Sequence, residues 1–143
     1  MTINSTSISH TQEIATQLAQ EVLKGEKPNL ILLEGELGGG KTTFSQGFIR
    51  GLGITQPVNS PTFVIMKSYP LPHTPVTIYH LDLYRIEMEW EVLELDIMEL
   101  IKNPQAIILI EWANKVEHLW THIPHTKVSF QVDGDQNRTI TIE

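Results

Sequence analysis

The densest chemistry in the sequence lies in the run Gly35-Glu36-Leu37-Gly38-Gly39-Gly40-Lys41-Thr42, which fits the pattern G-x-x-x-x-G-K-[ST] at every fixed position. Seven of the nine glycines fall between Gly35 and Gly53. Residues without side chains let backbone N–H groups wrap an anion, and a helix that starts at such a loop adds unsatisfied donors and the positive end of its dipole. The chemistry is that of a P-loop. Lys41 is placed to neutralise the β and γ phosphates of a nucleotide, and the Thr42 hydroxyl to ligate Mg²⁺.

Turnover of that nucleotide needs a second carboxylate and a group that holds the attacking water. Ala106 to Ile110 followed by Glu111 is an apolar strand ending in an acid, the pattern of a Walker B strand with Glu in place of the usual Asp. Glu111 either reaches Mg²⁺, directly or through water, or is a strand-end acid facing solvent. His80-Leu81-Asp82 puts two polar side chains on one face of another strand, because strand side chains repeat every two residues. Asp82 is a candidate for orienting the water or completing the magnesium shell, while His80 reads equally as structural or functional. A zinc site there would need further ligands, which His10, His73, His118, His122 and His125 do not supply at any convincing spacing.

Ser60-Pro61-Thr62 lies between the P-loop helix and the next strand, where nucleotide switches carry a hydroxyl that senses the γ-phosphate. Plain turn residues ahead of an edge strand fit the same spacing. Trp112, directly after Glu111, sits either in the core or where a nucleotide or partner contact is made. The three arginines, Arg50, Arg85 and Arg138, stand in surroundings that mark none of them as a catalytic finger. Slow hydrolysis by the chain alone, stimulated when a partner brings the missing positive charge, is the expected behaviour.

These residues need elements to hold them. Ser9, with Gln12 three residues on, caps an amphipathic helix over His10 to Lys24, with Ile14, Leu18, Val22 and Leu23 on its apolar face. The preceding residues, Met1 to His10, are polar and show no element. Leu30 to Leu33 is a strand buried on both faces, and Phe44, Phe48, Ile49 and Leu52 give the helix after the P-loop, closed by Gly53. Ser60 is extended before Pro61 and Phe63-Val64-Ile65 is a short strand. Pro70, Pro72 and Pro75 mark a loop, and Val76 to Leu83 is the next strand. Trp90, Leu93, Ile97 and Ile101 form the stripe of one helix whose glutamates, Glu87 to Glu99, face solvent or dock a basic partner. Lys127 to Val132 and Arg138 to Ile142 form a hairpin around Asp133-Gly134-Asp135. Strand, glycine loop and helix in this order predict one α/β domain over residues 1 to 143, with a central, mostly parallel sheet flanked by helices and a C-terminal β-hairpin.

At 143 residues the chain is long enough to bury roughly 68% of the surface its unfolded form exposes. Its 10 basic and 17 acidic residues leave a net charge of −7, which argues against a domain built mainly to grip nucleic acid; any nucleic acid would be reached indirectly or through a small local patch. It has no cysteine, so disulfides, thiolate metal sites and a cysteine nucleophile are excluded. No apolar run is long enough for a membrane span and no secretory signal opens the chain, so a cytoplasmic protein is expected.

"GELGGGKTTF", "SPTF", "YHLDLYR" and "LIEW", in this order and spacing, resemble the TsaE family, with Thr11-x-x-Ile14-Ala15 similar to its opening segment. The resemblance covers nearly the whole chain. It implies a P-loop ATPase, using ATP and Mg²⁺, that works with TsaB and TsaD in threonylcarbamoylation of the adenosine beside the anticodon of ANN-decoding tRNAs. The implied role is accessory, resetting the complex rather than performing the transfer, with tRNA reached only through the partners. Carried over by motif, Gly38, Gly39, Gly40, Lys41, Thr42 and Thr43 hold the phosphates, Thr42 and Glu111 hold the magnesium, and Lys41, Thr43, Asp82 and Glu111 support hydrolysis. Thr11 lies near the base, Ser60 and Thr62 belong to a switch-like segment, and Trp112 serves the partner-dependent reaction. Glu36 departs from the family's usual Asp, and Glu94-Leu95-Asp96 lacks the glycine the family tends to have there. The competing readings are a nucleotide-binding adaptor that never hydrolyses and a small-molecule P-loop kinase.

Overall fold

The computed structural model describes residues 1–59, 61 and 64–143. Its centre is three strands that the apolar runs dictate: β2 (Leu30–Gly35), β5 (Ala106–Glu111) and β4 (Thr77–Asp82), all parallel. Leu30 to Leu33 and all of β5 are buried, as a strand covered on both faces requires. On the other side of β2 lies β6 (Thr126–Val132), also parallel, followed by β7 (Arg138–Ile142) and β1 (Thr2–Ser5), both in antiparallel pairings. The opposite edge is β3 (Met66–Pro70), antiparallel to β4, giving the order β1-β7-β6-β2-β5-β4-β3. The sheet is thus parallel in its four central strands and antiparallel at both edges.

Helices cover both faces. Ile14, Leu18 and Val22 of α1 (Ile8–Leu23) and Phe44, Phe48 and Ile49 of α2 (Lys41–Gly51) pack with Ile31, Leu33, Ile107 and Leu109 on one side. On the other, Leu30, Leu32, Ile108 and Ile110 meet Val92 of α3 (Glu89–Leu93), Ile97 of α4 (Ile97–Lys102), and Val116 of a 3-10 segment, Ala113–Leu119, kinked at Val116. Trp120 closes this second core, its indole N–H donating to Ala113 O at 2.9 Å. Gly53 follows α2 with φ +106, the left-handed cap expected of it.

The first residues, to which the sequence assigns no element, form β1. Three local expectations are corrected. The N-cap of α1 is Ser7, whose Oγ accepts from His10 N at 3.0 Å, so the helix starts two residues earlier than a cap at Ser9 would allow. Val64 and Ile65 precede β3 instead of forming it: Ile65 N donates to Pro61 O at 2.7 Å, and Ile65 has φ +67. The turn delays the strand to Met66; Phe63 lies outside the described residues. Finally, the acidic helix is two helices, interrupted at Asp96, which has φ +55. The interruption changes the phase of the stripe, leaving Trp90 and Leu93 exposed (55% and 43%) and Val92 and Ile97 buried. Glu91 is more than a solvated charge, since its carboxylate accepts from Met88 N and Glu87 N, which hold its pKa below the ordinary carboxylate range.

Asp96 occupies the left-handed region in the segment where the resembling family tends to place glycine. Asp tolerates that region better than most residues but not freely. Asp96→Gly is therefore expected to leave stability unchanged or raise it by up to about 1 kcal/mol, read as the midpoint of a urea titration.

A candidate nucleotide site at the glycine loop

The loop between β2 and α2 is where the sheet's parallel centre ends and a helix begins. Gly40 stands at the N-cap of α2 with φ +104, a conformation that side chains resist, and no side chain caps the helix. The first N–H groups of α2 are left directed at the loop, as an anion site requires. Phe130 of β6 lies beneath the loop and meets Phe44 edge-on, with ring centroids 5.4 Å apart, so the loop rests on the core.

Lys41 opens α2 and is 5% exposed. Its Nζ donates to Gly35 O at 2.6 Å and Glu36 O at 2.8 Å and stands 4.1 Å from the centre of the Trp112 ring. An ammonium carries three protons, so two are engaged by the loop and one is left for a ligand. Burial pulls its pKa below the ordinary lysine value; Glu111, Asp82 and Glu36 oppose that shift.

Glu111 ends β5 inside the protein, 2% exposed, and is not a solvent-facing acid. Its Oε1 accepts from Thr42 Oγ1 at 3.3 Å. Its Oε2 accepts from Ser45 Oγ at 3.3 Å and lies 2.7 Å from His80 Nε2. Asp82, at the end of β4, is paired in register with Glu111 and is 5% exposed; its Oδ1 accepts from Tyr84 N at 3.0 Å. The alternation that put His80 and Asp82 on one face holds, but the two do different things: Asp82 reaches the cavity wall, while His80 lies under Glu111.

A cavity of about 470 Å³ opens over the loop, within the range of small-molecule sites. Its walls bring together Thr11, Gly38 to Thr43, Asp82, Glu111 and Trp112. Thr11 is buried and shares a 2.6 Å hydroxyl contact with Ser5, so β1 helps to fix it. Trp112 has φ +59, rare for a bulky residue, and its ring lies 5.1 Å from that of Tyr84. Ser60 and Thr62, the remaining candidates, lie outside the described residues.

Two further cavity residues carry no role from the sequence: Tyr84, although it stands inside YHLDLYR, and Arg138, which its sequence surroundings do not mark. Tyr84 follows Asp82 in the loop after β4, and Arg138 opens β7, donating from Nε to Gly38 O at 3.2 Å and from Nη1 to Asn137 O at 2.9 Å and Gly134 O at 3.0 Å. Topology is the signal that could have found Arg138. A strand parallel to β2 ends its chain direction at the same sheet edge, so the loop after β6 must stand beside the glycine loop.

Hard oxygens on Thr42 and Glu111, with a carboxylate on Asp82 beside them, suit a magnesium-type cation, which keeps several waters and takes few protein ligands. With the loop's donors they make a site that can bind a polyphosphate. The family model for threonylcarbamoyl adenosine biosynthesis protein TsaE matches residues 5–140. The tRNA threonylcarbamoyladenosine biosynthesis protein TsaE of Bacillus subtilis is 46% identical over 118 residues, covering 80% of this chain and 70% of that protein. The protein of the same name from Rickettsia bellii is 34% identical over 142 residues, covering 98% and 95%. The crystal structure of Bacillus subtilis YdiB superposes with a TM-score of 0.74 at 31% identity, covering 99% of this chain and 83% of that one. With its fold, its glycine loop and nearly its whole length matched, the chain belongs to the TsaE family.

Proposed function

We propose that this chain is an Mg²⁺-dependent ATPase of tRNA threonylcarbamoyladenosine formation, acting with TsaD and TsaB as an accessory subunit that resets the complex and leaves the transfer itself to its partners. The observation that carries this reading is the convergence of Lys41, Thr42, Asp82 and Glu111 on one cavity over the glycine loop. Family membership supports the pathway; the site supports the reaction.

In this reading the amides of Gly38 to Thr43 bind the phosphates, and the remaining Lys41 proton meets the β and γ oxygens. Thr42 and Glu111 would hold the magnesium, which supplies charge neutralisation at those oxygens. Asp82, next to Glu111 in the sheet, orients the attacking water and accepts its proton. Thr43, on the cavity wall, supports the same step, and Trp112 and Tyr84 shield Lys41 from solvent. With a net charge of −7 the chain itself is a poor ligand for tRNA, so tRNA is reached through the partners.

The test has two arms. Lys41→Ala should weaken ATP binding by about 10–100-fold, the worth of a charge-assisted hydrogen bond, measured by calorimetric titration with Mg²⁺ present. Reconstitution with TsaB, TsaD, tRNA and threonylcarbamoyl-AMP should give repeated turnovers with the chain and a single burst without it. Recycling that continues when the chain is omitted, or that proceeds without ATP hydrolysis, would sink the proposal; the second outcome leaves the adaptor reading standing.

A further inference from the structure

His80 takes no part in the reaction just described, yet it is built into the site from below. It is 1% exposed, and its Nε2 lies 2.7 Å from Glu111 Oε2. Its other nitrogen, Nδ1, is the buried side-chain polar atom that has no hydrogen-bond partner among the described residues. A histidine kept only to fill the core would be expected to satisfy both nitrogens, or to be replaced by an apolar residue. Leaving one buried polar atom unmatched costs about 1–3 kcal/mol. The bond to Glu111 is what the side chain offers in return. A carboxylate oxygen only accepts, so the 2.7 Å bond needs the proton on Nε2, with His80 donating and Glu111 accepting.

The consequence lies in how Glu111 is divided. His80 and Ser45 both hold Oε2, while Oε1 meets Thr42 Oγ1 on the cavity side. We propose that His80 is a positioning residue: by fixing Oε2 it prevents rotation of the Glu111 carboxylate and presents Oε1, beside Thr42, to a divalent cation. Hydrogen bonding of a ligating carboxylate by a neighbour tunes metal affinity in just this way. This inference rests on the reading of Thr42 and Glu111 as metal ligands.

The amide side chains provide the test. Gln places its amide nitrogen where His has Nε2, and Asn places its own where His has Nδ1. His80→Gln, His80→Asn and His80→Leu are compared for Mn²⁺ binding in the presence of ADP, followed by electron paramagnetic resonance, with metal-free ADP affinity and thermal melting as controls. The Asn and Leu variants should bind Mn²⁺ about 10–100-fold more weakly, and Gln should restore near-normal affinity, while metal-free ADP affinity stays level across the set. If Leu fails to fold, the Gln and Asn pair decides the matter. Equal Mn²⁺ affinity in Gln and Asn variants overturns the positioning role while the metal reading survives. A wild-type protein that adds nothing to the Mn²⁺ affinity of free ADP overturns both.

Discussion

Glu111→Gln should lower ATP turnover in the reconstituted complex by about 10²–10³-fold while nucleotide still binds, the loss expected when a preorganised charge at the reacting phosphate is removed. The substitution preserves shape and removes the negative charge, so the phosphate-binding amides and Lys41 stay in place. It also leaves three groups, Thr42 Oγ1, Ser45 Oγ and His80 Nε2, facing an amide that can accept through only one of its two ends. A mismatch of that kind in a site 2% exposed costs about 1–3 kcal/mol of folding stability. Binding and turnover must therefore be measured below the variant's own melting transition, with single-turnover chemistry separated from product release. Unchanged turnover would mean that the strand-end acid has no hydrolytic role and that hydrolysis proceeds without its charge.

The parts of this site that were legible in the sequence are those written as contiguous patterns on deeply buried elements. Leu30 to Leu33 and Ala106 to Ile110 can only be central strands, and once they are parallel neighbours the glycine loop and Glu111 must share a sheet edge. Period-two alternation likewise placed His80 with Asp82. What could not be read was set by pairing and by single backbone angles. The four residues of β1 carry no strand pattern, and are a strand because β7 offers them an open edge in the register Thr2 to Thr141. Asp96 and Trp112 take positive φ without being glycine, so the break between α3 and α4 and the turn after Glu111 leave no mark in composition. Arg138 reaches Gly38 across 100 positions of sequence, a meeting visible only after the strand order is known.

Gly47→Ala should destabilise the fold by about 1–3 kcal/mol, although intrinsic helix preference predicts a gain of about 1 kcal/mol for the same change. The sign is decided by packing. A Cβ at Gly47 would stand 2.7 Å from Gln12 Cα and 2.9 Å from Gln12 O, distances that backbone atoms cannot relieve by rotating a side chain. One turn later, a Cβ at Gly51 would meet Thr16 Cα at 2.8 Å, so α1 and α2 touch backbone to backbone along both turns. The contact is also bonded: Thr16 Oγ1 donates to Gly47 O at 3.2 Å, and Gln20 donates to Gly51 O. Alanine must push the helices apart, stretching these bonds and loosening the apolar seam of Leu18, Phe44 and Phe48 beneath them. For a chain of this length the melting midpoint should fall by roughly 3–10 °C. Function should follow, because α1 carries Thr11 to one wall of the cavity and α2 begins at Lys41 on the other. Nucleotide affinity measured well below the melting transition should therefore drop in Gly47→Ala even though no cavity residue has changed, and a variant that melts lower but binds normally would show that the seam serves stability alone.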